Sequence, residues 1–207
     1  RGLTSAPYAS GEDNTALGYQ ALTAFTTGDR NVAIGYNAGA ALTTANGNVI
    51  IGGAAALNLT TGGAIVAIGS SAAGQLTTDQ YVTAVGYNAG AYSDAGNGNR
   101  YNVFVGSNCG YASGPGIHQT YLGADAGIYA TGSYNTFVGG LAGKGGTTSA
   151  PYSSGQNNIA IGYLALTAFT TANENTVIGN QAGDAITTSN YNTLIGNTAG
   201  GAMTGGD

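Results

Sequence analysis

Hydrophobic and small residues recur along this chain in fixed columns. A branched aliphatic followed by glycine stands at Leu17-Gly18, Ile34-Gly35, Ile51-Gly52, Ile68-Gly69, Val85-Gly86, Val105-Gly106, Leu122-Gly123, Val138-Gly139, Ile161-Gly162, Ile178-Gly179 and Ile195-Gly196. The spacings between successive glycines are 17, 17, 17, 17, 20, 17, 16, 23, 17 and 17. Such a period marks a tandem structural repeat. With the glycine as position 0, position −3 is β-branched in every copy, from Thr15 and Val32 to Thr176 and Thr193. Position −4 is Asn in eight of eleven copies, and position +3 is Ala in ten and Cys109 in the other. Position +4 is usually Gly, and +7 is often apolar, as at Leu42, Leu59, Leu76, Phe169 and Ile186.

Each column predicts local structure. β-Branched residues at alternating positions, bounded by Asn and Gly, describe a short strand. Alternation puts −3 and −1 on one face, so the −1 aliphatics from Leu17 to Ile195 are the expected structural core. The repeat glycine supplies a bend. The Ala column implies a tight cross-section, and the Asn column predicts a stacked amide ladder. A period of 17 is too short for a helix pair or a propeller blade. It suits one coil of a parallel β-solenoid, with two short strands and two turns. About eleven coils stacked roughly 4.8 Å apart make a rod of about 50 Å. One coil cannot bury its apolar face alone, so stability comes from stacking.

A longer repeat overlies the first. TSAPYASGEDNTALGYQALTAFTT begins at Thr4 and TSAPYSSGQNNIAIGYLALTAFTT at Thr148, an offset of 144 residues. Residues 4–147 form one super-repeat of eight coils, and 148–207 open a second, within a single repetitive segment over 1–207. The irregular spacings are phased features of that unit. The inserts around SAPY are expected to bulge as loops. Arg1 begins in mid-pattern, and neither end reads as a cap, as in a segment of a longer tandem array.

Composition narrows the function. Only 13 of 207 residues are charged, whereas Gly, Ala, Thr and Asn contribute 119. Disordered chains are usually highly charged, so this composition favours stacked β-structure. Four Lys+Arg and a net charge of −5 exclude a basic nucleic-acid surface. One Cys and one His exclude an ordinary zinc site and an intrachain disulfide. No apolar run has the length of a membrane span. No metal, cofactor or enzyme activity is implied.

The pattern N-[TV]-A-[IL]-G-x-x-A-G, as in NVAIGYNAG at 31–39, resembles the head repeats of trimeric autotransporter adhesins of the YadA type. It is equally similar to related β-roll repeats of phage tail fibres. The resemblance covers nearly the whole chain. It implies a left-handed parallel β-roll assembled as a homotrimer or higher-order filament. It also implies an extracellular location, on a cell or virion surface. That family's repeat is shorter, and the additional residues here lie in Thr-rich connections such as 22–31. Position −2 fits an assembly, because it is consistently apolar on the face opposite −1 and −3. It is expected to meet partner chains.

The expected function is a structural and adhesive segment of an extracellular fibre, with a virion tail fibre as the alternative. The partners expected are copies of the chain and a surface glycan or protein receptor. The SAPY loops, with Pro7, Tyr8, Pro151 and Tyr152, are the first choice for recognition because they return once per super-repeat. Exposed tyrosines can stack on sugars. His118 lacks a neighbouring nucleophile in sequence, and Cys109 occupies a small-residue column. Glu12 and Asp13 read as solvated turn charge or a weak cation site. Thr pairs such as Thr26-Thr27, Thr43-Thr44 and Thr60-Thr61 form a ladder that raises ice binding as a rival function. Asn58-Leu59-Thr60 is the one glycosylation sequon.

Overall fold

The computed structural model describes residues 10–93, 98–149 and 151–204. Eleven strands lie in one parallel sheet in sequence order. They are β1 (Thr15–Leu17), β2 (Val32–Ile34), β3 (Val49–Ile51), β4 (Val66–Ile68), β5 (Gln80–Val85), β6 (Asn99–Val105), β7 (Thr120–Leu122), β8 (Thr136–Val138), β9 (Ile159–Ile161), β10 (Thr176–Ile178) and β11 (Thr193–Ile195). Pairing is column on column: Val32 faces Val49, Ala33 faces Ile50 and Ile34 faces Ile51. The same register survives the 23-residue coil, where Thr136 pairs with Ile159. The chain is therefore a β-solenoid, and its inserts leave the stack without shifting it.

Each coil holds one strand among the described residues, not two. The other half of the coil is a run of turns. The N–H groups at +3, +5 and +7 turn back on carbonyls at 0, +2 and +4, as in Ala38 to Gly35, Ala40 to Asn37 and Leu42 to Gly39. Alternate amides reach the next coil instead, as Gly39 to Ala55 and Ala41 to Leu57. This geometry needs left-handed backbone at −5, +2 and +4. Ordinary side chains occupy it, including Tyr81 (φ 58°), Leu141 (φ 60°) and Leu164 (φ 58°). Paired amides in every coil offset the strain of such residues.

The interior corrects the expected core. Position −2 points inward, and Ala33, Ile50, Ala67, Ala84, Phe104, Tyr121, Phe137, Ala160 and Val177 are fully buried. The −1 residues face outward: Leu17, Leu122 and Ile195 are 66%, 47% and 68% exposed, and Ile34, Ile51, Ile68, Val85, Val105, Val138 and Ile178 are half-buried. Ile161 is also exposed. Strand alternation was right, but its inner and outer faces were exchanged. The reason is volume. The Ala column at +3 lies fully buried in most coils, and large side chains from both strand faces could not share so thin a section. Positions −2 and +7 fill it together. Ala67 is matched with Leu76 and Ala160 with Phe169. Where Phe104, Tyr121 and Phe137 enter, +7 shrinks to Ser113, Ala130 and Gly146. Glycine at +4 clears the rings: a Cβ on Gly127 would lie 2.3 Å from Tyr121. The three rings follow one another, Phe104 tilted by 41° against Tyr121 at 5.4 Å and Tyr121 stacked on Phe137 at 4.8 Å.

The Asn column forms the expected ladder, and it is buried. Asn48 Nδ2 donates to Asn31 Oδ1 at 2.8 Å, and Asn31 Nδ2 donates to Asn14 Oδ1 at 3.0 Å. Each side-chain oxygen also accepts from backbone one coil on, as Asn48 Oδ1 does from the Ile65 N–H. The ladder resumes at Asn135, Asn158, Asn175 and Asn192. The 20-residue spacing introduces a bulge in β6 against Tyr81. Arg100 there turns inward, and its Nε donates to Asp79 Oδ1 at 2.5 Å, with both side chains buried.

Cys109 replaces the column alanine and is buried, with its Sγ 3.2 Å from the Tyr121 carbonyl oxygen. Burial pushes its thiol up to about 12 from 9.0, and burial likewise raises the Tyr121 hydroxyl above its ordinary value. The unfolded chain therefore ionises both groups first. Their contribution is complete below about pH 9 and is lost as pH rises toward about 12. Urea midpoints should hold steady to pH 9 and then fall, less steeply in Cys109→Ala. A midpoint that rises with pH above 9 would contradict this assignment. The native thiol should resist iodoacetamide until the chain unfolds.

Candidate functional site

Three surface features stand out from the repeat. The first is the outward strand face. Positions −3 and −1 of eleven strands align into a stripe about two side chains wide and roughly 50 Å long. It carries Val32 and Ile34, Val49 and Ile51, Val66 and Ile68, then mixed Thr and aliphatic pairs onward to Thr193 and Ile195. Its residues are half-buried by one another or exposed.

The second is an aromatic ladder at position −5. Tyr81 stacks on Tyr101 at 4.9 Å, Tyr101 on His118 at 5.1 Å, and His118 on Tyr134 at 5.4 Å. His118 is thus a ring in a stack. Left-handed backbone at this column, φ 55° at His118, aims each ring outward at one height per coil.

The third is a tyrosine-walled groove built from positions +5 and +6 and the insert before β9. Tyr92 and Tyr111 meet at 4.8 Å with their planes tilted by 59°. Tyr152 stacks on Tyr129 at 5.7 Å. Tyr92, Tyr111, Ala112, Gly114 and Tyr152 enclose about 320 Å³. A second depression of about 170 Å³ shares Tyr92 and Tyr111 and adds Ser71, Gln75 and Asn88. Desolvation raises the Tyr111 hydroxyl above its ordinary value, and its hydrogen bond with Tyr92 raises it further.

Several residues singled out from sequence fall elsewhere. The repeat glycines line up coil on coil, Gly35 over Gly52 over Gly69, and form a backbone-tight seam with no chemistry. Pro151 is exposed and Tyr152 lines the groove. Pro7 and Tyr8 lie outside the described residues. Asp29 accepts the Glu12 N–H at 2.8 Å, a turn contact between coils. Among the described residues, no group of three or more His, Cys, Asp or Glu comes together. The first Thr of each regular pair is satisfied within the fold: the hydroxyls of Thr26, Thr43, Thr60, Thr170 and Thr187 donate to carbonyls one coil on. Sequence reasoning did not find Tyr92 and Tyr111 as a pair, because they stand at +6 and +5 of their own coils, in different columns.

No known protein family, curated protein or solved structure matches the chain.

Proposed function

We propose that the chain is a structural and adhesive segment of an extracellular fibre. It is a rigid spacer that presents turns and loops to a surface or receptor, and it assembles as a homotrimer through the outward strand face. The carrying observation is that face. Its −1 column is aliphatic in every coil, and soluble monomers rarely leave an unbroken apolar column of this length in water. Covering it with copies of itself removes the stripe from water and adds core. Three copies is what the likeness to adhesin and tail-fibre repeats implies, and either a bacterial or a virion surface fits. Stiffness follows from the backbone bonds that tie every coil to the next, such as Gly35 N–H to Leu17 and Gly52 N–H to Ile34, each at 2.8 Å.

The direct test is absolute mass by light scattering after size-exclusion chromatography. About three times 20.2 kDa is expected. A mass near 20.2 kDa would remove the assembly.

The outward face also favours one other reading, adsorption to ice, because Thr and aliphatic residues alternate on a flat, regularly spaced strand. Against it, −1 is aliphatic throughout, and Val32, Val49, Val66, Val103 and Ile159 leave no hydroxyl at −3. No thermal hysteresis is expected at high concentration. A clear freezing-point gap would transfer the function to this face.

A further inference from the structure

We propose that the groove between Tyr92, Tyr111 and Tyr152 is a binding site for a neutral saccharide, the receptor element of the fibre. This rests on the fibre reading and names its ligand class. The lining is uncharged, which suits a ligand without charge. Tyr92 and Tyr111, 4.8 Å apart and tilted by 59°, form a wedge that offers an aromatic face and hydroxyls together. Pyranose rings have C–H faces that pack on aromatic faces and hydroxyls around the rim that need hydrogen bonds. Gln75 and Asn88 border the second depression; with Gln75 Oε1 accepting from Asn58 and Asn88 Nδ2 donating to Asn108, the Gln75 Nε2 donor and the Asn88 Oδ1 acceptor are left for neighbouring sugar hydroxyls. Tyr152 is held by its stack on Tyr129, at 5.7 Å and 12° between planes, so the far wall is preorganised. A short saccharide fits the groove of about 320 Å³, and the depression of about 170 Å³ shares its Tyr92 and Tyr111. A proline-rich peptide also favours tyrosines, but it runs along an extended apolar groove and makes less use of paired amides.

The groove is assembled across a repeat boundary. Tyr92, Tyr111 and Tyr129 belong to the super-repeat 4–147, whereas Tyr152 is the counterpart of Tyr8 and opens the next. Tyr92, Tyr129 and Tyr152 lie in the coils with the irregular spacings 20, 16 and 23. The irregular coils thus bring tyrosines together beside columns that stay in register. In a tandem array the site would return every eight coils, about 38 Å. Weak single sites at that spacing would combine into firm attachment to a glycan-coated surface. Tyr92 and Tyr111 stand at +6 and +5 and Tyr152 in the insert before β9, all outside the outward strand face, so assembly through that face leaves them to the receptor.

The test uses the full chain and a panel of neutral di- and trisaccharides of glucose, galactose and N-acetylglucosamine, with a proline-rich decapeptide beside them. Saturation-transfer NMR identifies contacts, and titration gives affinity. At least one saccharide should bind through its ring C–H protons. Tyr111→Ala and Tyr152→Ala should each weaken it roughly tenfold. Tyr19→Ala, an exposed tyrosine away from the groove, should leave it unchanged. Tyr152→Phe keeps the stack and should keep most of the binding, which separates lost contact from lost fold. No binding across the panel, binding of the peptide alone, or binding indifferent to both alanine variants would overturn the proposal. Light scattering on the same samples keeps the two readings apart. A trimer that binds no saccharide removes the groove and leaves the fibre. A monomer that binds one does the reverse.

Discussion

Alanine at Gly69 is expected to break the solenoid at its fourth coil, whereas alanine at Gly53 leaves it intact. Gly69 has φ +129°, a conformation closed to side chains, and a Cβ there would stand 2.4 Å from the Gly86 carbonyl oxygen and 2.6 Å from its carbon. Both are backbone atoms of the next coil. They have no room to retreat, because Gly86 is stacked as tightly on Gly106, where a Cβ would also meet the carbonyl oxygen at 2.4 Å. The backbone strain alone is worth about 1–3 kcal/mol. Prising one coil from the next also weakens several inter-coil hydrogen bonds, each contributing about 1 kcal/mol. The total is about 4 kcal/mol or more, among the largest effects a point substitution has. Gly53 has nothing within 4 Å of its Cβ and no left-handed backbone, so its alanine variant should stay within about 0.5 kcal/mol. Gly47, at φ +68° with open space, isolates the strain and should cost about 1 kcal/mol. Urea unfolding ranks the three. Hydrogen exchange locates the damage. Protection should vanish from β3 to β5 and persist in β9 to β11, because repeats couple to their neighbours only. Equal stability for the Gly69 and Gly53 variants would mean that the glycine seam is not close-packed.

The axial features of the fold were the legible ones. Period, strand position, parallel register and the Asn ladder all follow from identities that return at fixed spacing, and stacking in register is what preserves such identities. The radial direction was misread. Leu17, Ile34 and Ile51 read as core because they are always large, but on the outer face no facing side chain limits their size. The interior has fixed volume, so its residues trade size: Ala67 with Leu76, Ala160 with Phe169, Phe137 with Gly146. That exchange between −2 and +7 was present in the sequence. The missing second strand has another cause. Leu141 and Leu164 carry no Gly-like signature, yet inter-coil bonds hold them in left-handed backbone. The groove was legible only through Tyr152. Its partners Tyr92 and Tyr111 stand at +6 and +5, in different columns, so column reading alone does not pair them.

Lysine at Ile51 and Ile178 together is expected to convert the assembled species into a monomer without unfolding it. Both side chains stand at −1 on the outward face, half-buried by their own neighbours and clear of the coil interior. In a single chain each lysine can lay its stem along the stripe and keep its charge in water. The two positions lie seven coils apart, so they add no charge repulsion along one rod. In a homotrimer packed through this face, each substitution brings three ammonium groups toward one axis. Burying unpaired charge costs several kcal/mol per ion, and this chain has few carboxylates to offer as partners. Six such charges exceed what a stripe two side chains wide can offset. The mass should fall from about three times 20.2 kDa to about 20.2 kDa, with the circular dichroism spectrum retained. Thr61→Lys, on an exposed turn outside the strand face, should leave the mass unchanged. The monomer would also expose the stripe and bind hydrophobic dyes that the assembled protein ignores. If the double variant keeps the wild-type mass, the outward face is not the seam, and the apolar stripe must be covered by a partner other than the chain itself.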